Sequence, residues 1–381
     1  MATQIESRQR VRTDDGRLLD RLVVNVGPSH PSTHGVCRVI AHLEGEVVVK
    51  AEPVIGYLHR GIEKMAENRT YLQVVPLTDR LDYVGSMYAN WAYCRAVERL
   101  AGIRVPERAE YIRVIVCELQ RICSHMMGVG ASGADTGAFT AFVYAVDIRE
   151  RIVELFEDLC GARLTYNYVR PGGVAFDLPD GWIEKCRHVV RTLPDRLREL
   201  DDLFFGNWIA QGRMRGIGIL TPEDAIAWGA TGPVARASGI TFDIRKNDPY
   251  SVYPRLDFKV PVGENGDSLD RARVKLMESI ESCGIVDQAL DQLEDGPVMA
   301  PYVPRLIRPR PGDAYDHIES ARGSLGVYLV SDGSPRPWRM KVRSPAFCNL
   351  QLLGNLAVGH TMSDLVVILG SLDPVFGEVD R

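Results

Sequence analysis

Apolar and polar positions keep a short rhythm at the start of this chain and a longer one after it. Up to about residue 55, Leu22-Val23-Val24, Val36-Cys37-Arg38-Val39-Ile40 and Val47-Val48-Val49 are strand-like runs, and Glu44-Gly45-Glu46 reads as a turn between two of them. From residue 60 the spacing becomes helical. Residues 60–71 are amphipathic, and Thr78 suits an N-cap for a helix from Asp79 to about residue 100. Pro106-Glu107-Arg108 opens another helix, in which Ile112, Ile115, Val116, Leu119, Ile122, Cys123 and Met126 recur at i, i+3, i+4. Val114 and Met127 lie off that stripe, so a central position is expected. Residues 128–137 read as a glycine-rich break. Helices are expected over about 139–159, 180–203 (with Pro194 a candidate interruption) and 268–293, and Thr221-Pro222-Glu223-Asp224 places proline at N1 behind an N-cap. Residues 301–311, rich in proline and arginine, suit an extended surface segment. Residues 325–330, 331–334 and 338–342 read as strand, turn, strand, and a last helix is expected over about 350–369. The tail from Asp373 to Arg381 departs from the polar end that disordered termini usually show.

This order predicts an α+β fold, predominantly α. A small N-terminal sheet (1–55) packs on a helical bundle (56–235), followed by an α/β region (236–345) and a C-terminal helix with an inserted tail (346–381). With 381 residues the chain can bury a large core as one domain or two to three. A net charge of −5 gives no reason to expect nucleic acid. No apolar run approaches the roughly 18 residues that cross a bilayer. Residues 1–21 are mixed in charge, unlike a secretory or transit peptide. A cytoplasmic protein is expected, held at a membrane only through partners. The eight cysteines include no C-x-x-C pair, which predicts buried singlets in a reducing compartment and no metal or iron–sulfur site held by this chain alone.

Candidate chemistry starts in Gly27-Pro28-Ser29-His30-Pro31-Ser32-Thr33-His34-Gly35. Pro31 biases His30 toward extended geometry, so two histidines ride a stiffened loop between strands. Imidazole there can meet a ligand, donating and accepting hydrogen bonds near neutral pH. The same residues equally suit a tight turn. A zinc site is disfavoured, because no helix and no third ligand accompany the pair. Thr78-Asp79-Arg80-Leu81-Asp82-Tyr83 puts acid, base and phenol within two turns of the expected helix, with Asp79, Asp82 and Tyr83 on one side; it also suits a helix N-terminus with Tyr83 as filler. Asp135 sits in the glycine-rich stretch, either as an N-cap or as a carboxylate that orients a histidine. The segment around Arg163, Arg170 and Pro171-Gly172-Gly173 matches no P-loop or dinucleotide spacing.

Taken together, these stretches resemble one family from about residue 22 to Arg381. The motifs are the His30/His34 loop, Gly56-Tyr57-Leu58-His59-Arg60-Gly61-Ile62-Glu63-Lys64, Asp79-Arg80-Leu81-Asp82-Tyr83, Tyr168-Val169-Arg170-Pro171-Gly172-Gly173, Val327-Tyr328-Leu329-Val330-Ser331-Asp332-Gly333 and Gly370-Ser371-Leu372-Asp373-Pro374-Val375-Phe376-Gly377-Glu378-Val379-Asp380-Arg381. The chain is similar to the 49 kDa-type (D) quinone-site subunit of respiratory complex I, the proton-translocating NADH:quinone oxidoreductase. That family is related to the large subunit of nickel–iron hydrogenases, which implies a hydrogenase-like helical bundle. Where hydrogenases carry metal-binding cysteines, this chain has Arg60-Gly61-Ile62-Glu63 and the 373–378 stretch, so the resemblance implies no metal here.

The resemblance further implies a quinone substrate with head-group contacts from His34 and Tyr83, and Asp135 as the partner of the histidine. It implies electrons from a [4Fe-4S] cluster in the adjacent B subunit. Arg60, Arg80 and, more weakly, His59 stand near that cluster without ligating it. Partners would be the B, C, A, H and I subunits of complex I, with the chain peripheral on the cytoplasmic face of the cell membrane; the length excludes a fused C–D arrangement. Alternatives are the equivalent subunit of a complex fed by ferredoxin or another donor, and a non-catalytic scaffold. Thr165 stands where the family usually carries histidine, and Phe347-Cys348-Asn349-Leu350 lacks a histidine common before the last helix.

Overall fold

The computed structural model describes residues 3–12, 18–28 and 35–381. Four antiparallel strands, β1 (Thr3–Arg12), β2 (Leu18–Val26), β3 (Arg38–Glu44) and β4 (Val47–Val54), form a meander in the order β1-β2-β3-β4. The turn at Gly45 falls where expected. Alternate residues of β3 are buried, so Val39, Ala41 and Leu43 face a core while Arg38 and Ile40 face outward. A three-stranded sheet is built from β5 (Gly312–Ser320), β6 (Gly323–Ser331) and β7 (Arg339–Arg343), in that order. Its first strand, with Asp313, Asp316 and His317, has no alternation that marks it in the sequence.

Six helices among the described residues exceed ten residues: α1 (Ser86–Ala101), α2 (Glu107–Asp135), α3 (Phe139–Cys160), α4 (Trp182–Leu200), α5 (Ser268–Asp291) and α6 (Met362–Leu372). As expected, α2 is central. It packs on α3 and α5, with α4 against both of those, and α1 backs the β5–β6 hairpin. Because α2 is buried nearly all round, its polar residues need partners inside. Glu118 accepts from Arg121, Arg245, Tyr253 and Ser282 at 2.6–3.1 Å. Arg236 bridges Glu278 and Glu319 at 2.6 and 2.9 Å. Such a saturated network fixes how the elements dock more than it adds net stability.

Several expected elements are revised. The 60–71 helix is only Ile62–Ala66; Thr70, whose backbone N–H donates to Gln73 at 3.1 Å, opens a second one, Tyr71–Thr78. Thr78 therefore ends a helix. Its hydroxyl donates back to the Val75 carbonyl at 2.8 Å, and α1 starts only at Ser86. The glycine-rich stretch is no break: α2 runs through it to Asp135. A Cβ at Gly128 would lie 2.7 Å from Asp373, and one at Gly130 or Gly133 would lie 3.2 Å from the nearest atoms of α3 and the residue before it. Close packing thus overrides a helix propensity penalty of about 1 kcal/mol per glycine. Pro194 lies inside a continuous α4. The last helix is three pieces, Pro345–Leu350, Leu353–Leu356 and α6. Thr361 caps α6, and Asp364 reciprocates by accepting from the Thr361 backbone N–H at 3.1 Å.

The N-terminal sheet and the C-terminal helices share one core, built from Val39, Ala41, Val48, Leu353, Ile368 and Phe376 with others. Backbone bonds of 2.8 and 2.9 Å join Val48 to His360 and Gly359. The first sheet and the end of the chain are thereby brought to the same side of the bundle.

Candidate functional site

Three backbone segments converge beside that shared core: the 56–60 loop, the 79–85 turn and the tail after α6. The tail begins at Asp373, in the left-handed region with φ 52. Arg322, from the turn joining β5 and β6, is the buried hub. Its Nε donates to the Asp373 carbonyl at 2.8 Å, and its Nη1 donates to Asp82 Oδ2 at 2.8 Å and to Ser124 Oγ of α2 at 2.9 Å. Lys275 of α5 donates to the Ser371 carbonyl at 3.2 Å and lies 3.5 Å from Asp373 Oδ2. Two cations thus offset the buried Asp82 and Asp373 carboxylates, the arrangement that burial of charge demands.

Asp82 also shapes the turn. Its Oδ1 accepts from the backbone N–H groups of Val84 and Gly85 at 3.1 and 2.9 Å, holding an Asx-type turn just before α1. Gln120 of α2 donates to the Val84 carbonyl at 2.6 Å. Tyr83 is therefore displayed from a turn pinned on both sides, and Asp79, Asp82 and Tyr83 do not share a helix face. Tyr83 is half-buried. Burial holds its hydroxyl above the ordinary phenol value. Asp82 pushes the same way, and the nearby Arg322 and Arg60 pull it back. At neutral pH it is protonated and can donate a hydrogen bond.

The tail closes the other side. Gly377 crosses the 79–85 turn so closely that a Cβ would lie 2.7 Å from the Leu81 carbonyl oxygen. Arg60 donates to the Arg80 carbonyl at 2.5 Å and to the Gly377 carbonyl at 3.3 Å. The Asp380 carboxylate accepts from the backbone of Gly56 and Leu58 at 2.9 and 2.7 Å, and its carbonyl accepts from His59 Nδ1 at 2.7 Å. Asp380 also helps push up the Cys37 thiol, after burial, so β3 starts beside the tail. A groove of about 330 Å³ remains between Ile55, His59, Lys341 and Val379. Arg80 is exposed, donates to the Pro76 carbonyl at 2.8 Å and lies 3.6 Å from Asp79. Burial pushes Asp79 up to about 6, and Asp79 accepts from Asn167 N–H at 3.2 Å.

The family description "respiratory-chain NADH dehydrogenase, 49 Kd subunit" matches residues 135–310 and 302–381. The D subunit of the NADH-quinone oxidoreductase of Desulforamulus reducens is 51% identical over 361 residues, 95% of this chain and 98% of its own. The D subunits from Carboxydothermus hydrogenoformans and Bacillus cereus are 49% and 48% identical, over 94% and 95% of this chain and 98% and 99% of theirs. The chain belongs to the 49 kDa subunit family of the respiratory-chain NADH dehydrogenase.

In this 49 kDa-family chain, four of the six residues singled out from the sequence, Tyr83, Arg60, Arg80 and His59, gather at the junction of turn, loop and tail. His34, with His30, lies outside the described residues. Asp135 is the last residue of α2 and not an N-cap. It sits eleven residues beyond Ser124, about 16 Å along the helix axis from the Arg322 hub. Thr165 is in the left-handed region with φ 55, a conformation that histidine visits more readily than a β-branched residue. In the two stretches that the resemblance expects to lack metal-binding cysteines, Glu63 accepts from Lys341 Nζ at 3.0 Å, and Glu378 is buried. No cluster of three metal-ligating residues occurs among the described residues, and no helix among them is long and apolar enough to cross a membrane. Sequence reasoning missed Arg322, Lys275 and Asp373 as site residues. Arg322 and Lys275 carry no local signal, whereas Asp373 opens the distinctive run at the end of the chain.

Proposed function

We propose that this chain is the quinone-reducing subunit of a proton-translocating NADH:quinone oxidoreductase. It would be peripheral at the cytoplasmic face of the cell membrane, with the B, C, A, H and I subunits as partners. The relatives' names supply the quinone and the assembly. The observation that carries the reading in this chain is Tyr83, a half-buried phenol displayed from the turn that Asp82 holds through Val84 and Gly85 and that Arg322 braces.

A quinone that accepts two electrons becomes basic at both oxygens, so it needs two positioned acids. Tyr83 donates to one oxygen, and Arg322 and Arg60 offset the charge left on the phenolate. His34 donates to the other and is held and recharged by Asp135. The [4Fe-4S] cluster of the B subunit would supply the electrons. Arg60 and Arg80 form the cationic edge toward it with His59 beside them, and none is a ligand.

Tyr83→Phe in the assembled complex tests this. Quinone reduction should fall by about 10²-fold or more, the scale of a lost general acid. NADH oxidation by ferricyanide, which bypasses the quinone, should persist. Equal loss of both activities, or loss of neither, would refute the role of Tyr83. His34→Ala and Asp135→Asn should be strongly non-additive; additive log rates would refute their pairing.

A further inference from the structure

The arginine- and proline-rich segment at 301–311 takes no part in the site above. It forms no helix or strand and lies beside the end of α1. Ile307 and Pro309 turn inward, while Arg308 and Arg310 turn out. A groove of about 440 Å³ opens between it and Ala101–Arg104. Its apolar walls include Ile103, Pro301 and Ile307, and it carries Arg104 and Arg308 as charges. Tyr302, 78% exposed, stands on its rim. Residues 297–312 contain Arg305, Arg308 and Arg310 and no acidic residue, in a chain whose net charge is −5. On the helical face, by contrast, Arg108, Arg187, Arg191 and Arg198 each meet a carboxylate. Among the described residues no carboxylate answers Arg104, Arg305, Arg308 or Arg310.

We propose that this groove is the docking site for an extended acidic segment of a partner polypeptide. Apolar walls with a charged rim are the anatomy of a protein interface. Unanswered guanidinium forks select carboxylates, which they grip bidentately. Pro301, Pro304, Pro309 and Pro311 lack N–H groups, so the partner is not taken up as an added β-strand. Recognition runs through side chains: carboxylates to Arg104 and Arg308, and an apolar or aromatic residue against Tyr302. A nucleic acid would call for a broad basic field, which the overall negative charge of this chain opposes.

The full chain is titrated by fluorescence anisotropy with a labelled peptide of about twelve residues alternating glutamate and leucine, roughly 40 Å when extended. The glutamine–leucine counterpart is the control. The acidic peptide should bind at least about tenfold more tightly than the control, as expected for two charge-assisted contacts. Arg104→Glu with Arg308→Glu should abolish that preference and create one for a lysine–leucine peptide. Both positions are exposed, and unchanged circular dichroism verifies folding; Arg104→Gln with Arg308→Gln should lose the preference without reversing it. In the assembled complex, a photo-crosslinking phenylalanine at Tyr302 should attach to a segment of another polypeptide that contains Asp or Glu. Equal binding of acidic and neutral peptides, stronger binding of an oligonucleotide or anionic vesicle than of the acidic peptide, or crosslinks confined to this chain would overturn the proposal. None of these outcomes depends on the quinone site.

Discussion

Glu378 offers a quantitative test of how the tail is held. It is 1% exposed, and neither carboxyl oxygen reaches a hydrogen-bond donor at bonding geometry among the described residues. Burial and the Asp82 carboxylate push it up to about 8. The Arg322 and Arg343 guanidinium groups and the Ala346 backbone N–H pull the other way without prevailing. Below the unfolded value of 4.5 both states are protonated and the group contributes no pH dependence. Between 4.5 and about 8 the unfolded chain is ionised while the folded chain keeps its proton, so stability falls as pH rises. The slope approaches about 1.4 kcal/mol per pH unit, which totals about 3–4 kcal/mol between pH ~5 and ~8. Glu378→Gln removes the titration. Its stability relative to the native chain should therefore climb by about that amount over the same interval. Any fixed cost of burying the amide shifts the whole curve and cancels in the slope. Urea unfolding of the full chain and of the variant at several pH values measures the difference. Two curves that stay parallel across the interval would refute the placement of a protonated carboxyl beside Asp82.

Arg322→Met should destabilise the chain by about 3–5 kcal/mol, because it leaves Asp82 and Asp373 short of their shared counter-ion; a urea midpoint close to native would contradict the hub. Gly377→Ala should cost about 1–3 kcal/mol, since the new methyl meets a backbone oxygen that cannot give way. Limited proteolysis should then cut the tail faster than in the native chain. Burial pulls His125 down to about 4 despite its 2.9 Å contact with Glu278. Its contribution is whole above the unfolded value of 6.5 and is lost as pH falls toward 4, by about 3 kcal/mol in all. His125→Gln should flatten that part of the stability curve, and an unchanged acid limb would rule the assignment out.

What the sequence decides by itself is local. Alternation over 36–44 made β3 legible, and the stripe from Ile112 to Met126 identified α2 and its central place. Proline behind Thr221 marked a helix start, and the unusual terminal motif with the ordered run of others identified the family. The elements rest on residues close enough in sequence to interact directly, and the family on motifs each short enough to read locally. The failures are all places where distant groups outweighed local preference. Gly128, Gly130 and Gly133 disfavour helix in isolation, but here Gly128 lets Asp373 come within what a Cβ would forbid, and Gly130 and Gly133 let α3 pack tightly on α2. Thr78 caps well in principle, but it ends one helix, and Asp82 holds the turn before the next through Oδ1 while its second oxygen accepts from Arg322, 240 residues away. The gathering of Tyr83, Arg60, Arg80 and His59 around the tail was likewise decided in three dimensions. It required the first sheet and the last helix to share one core, and no local pattern records that a buried guanidinium will join a hairpin turn, a helix and the end of the chain.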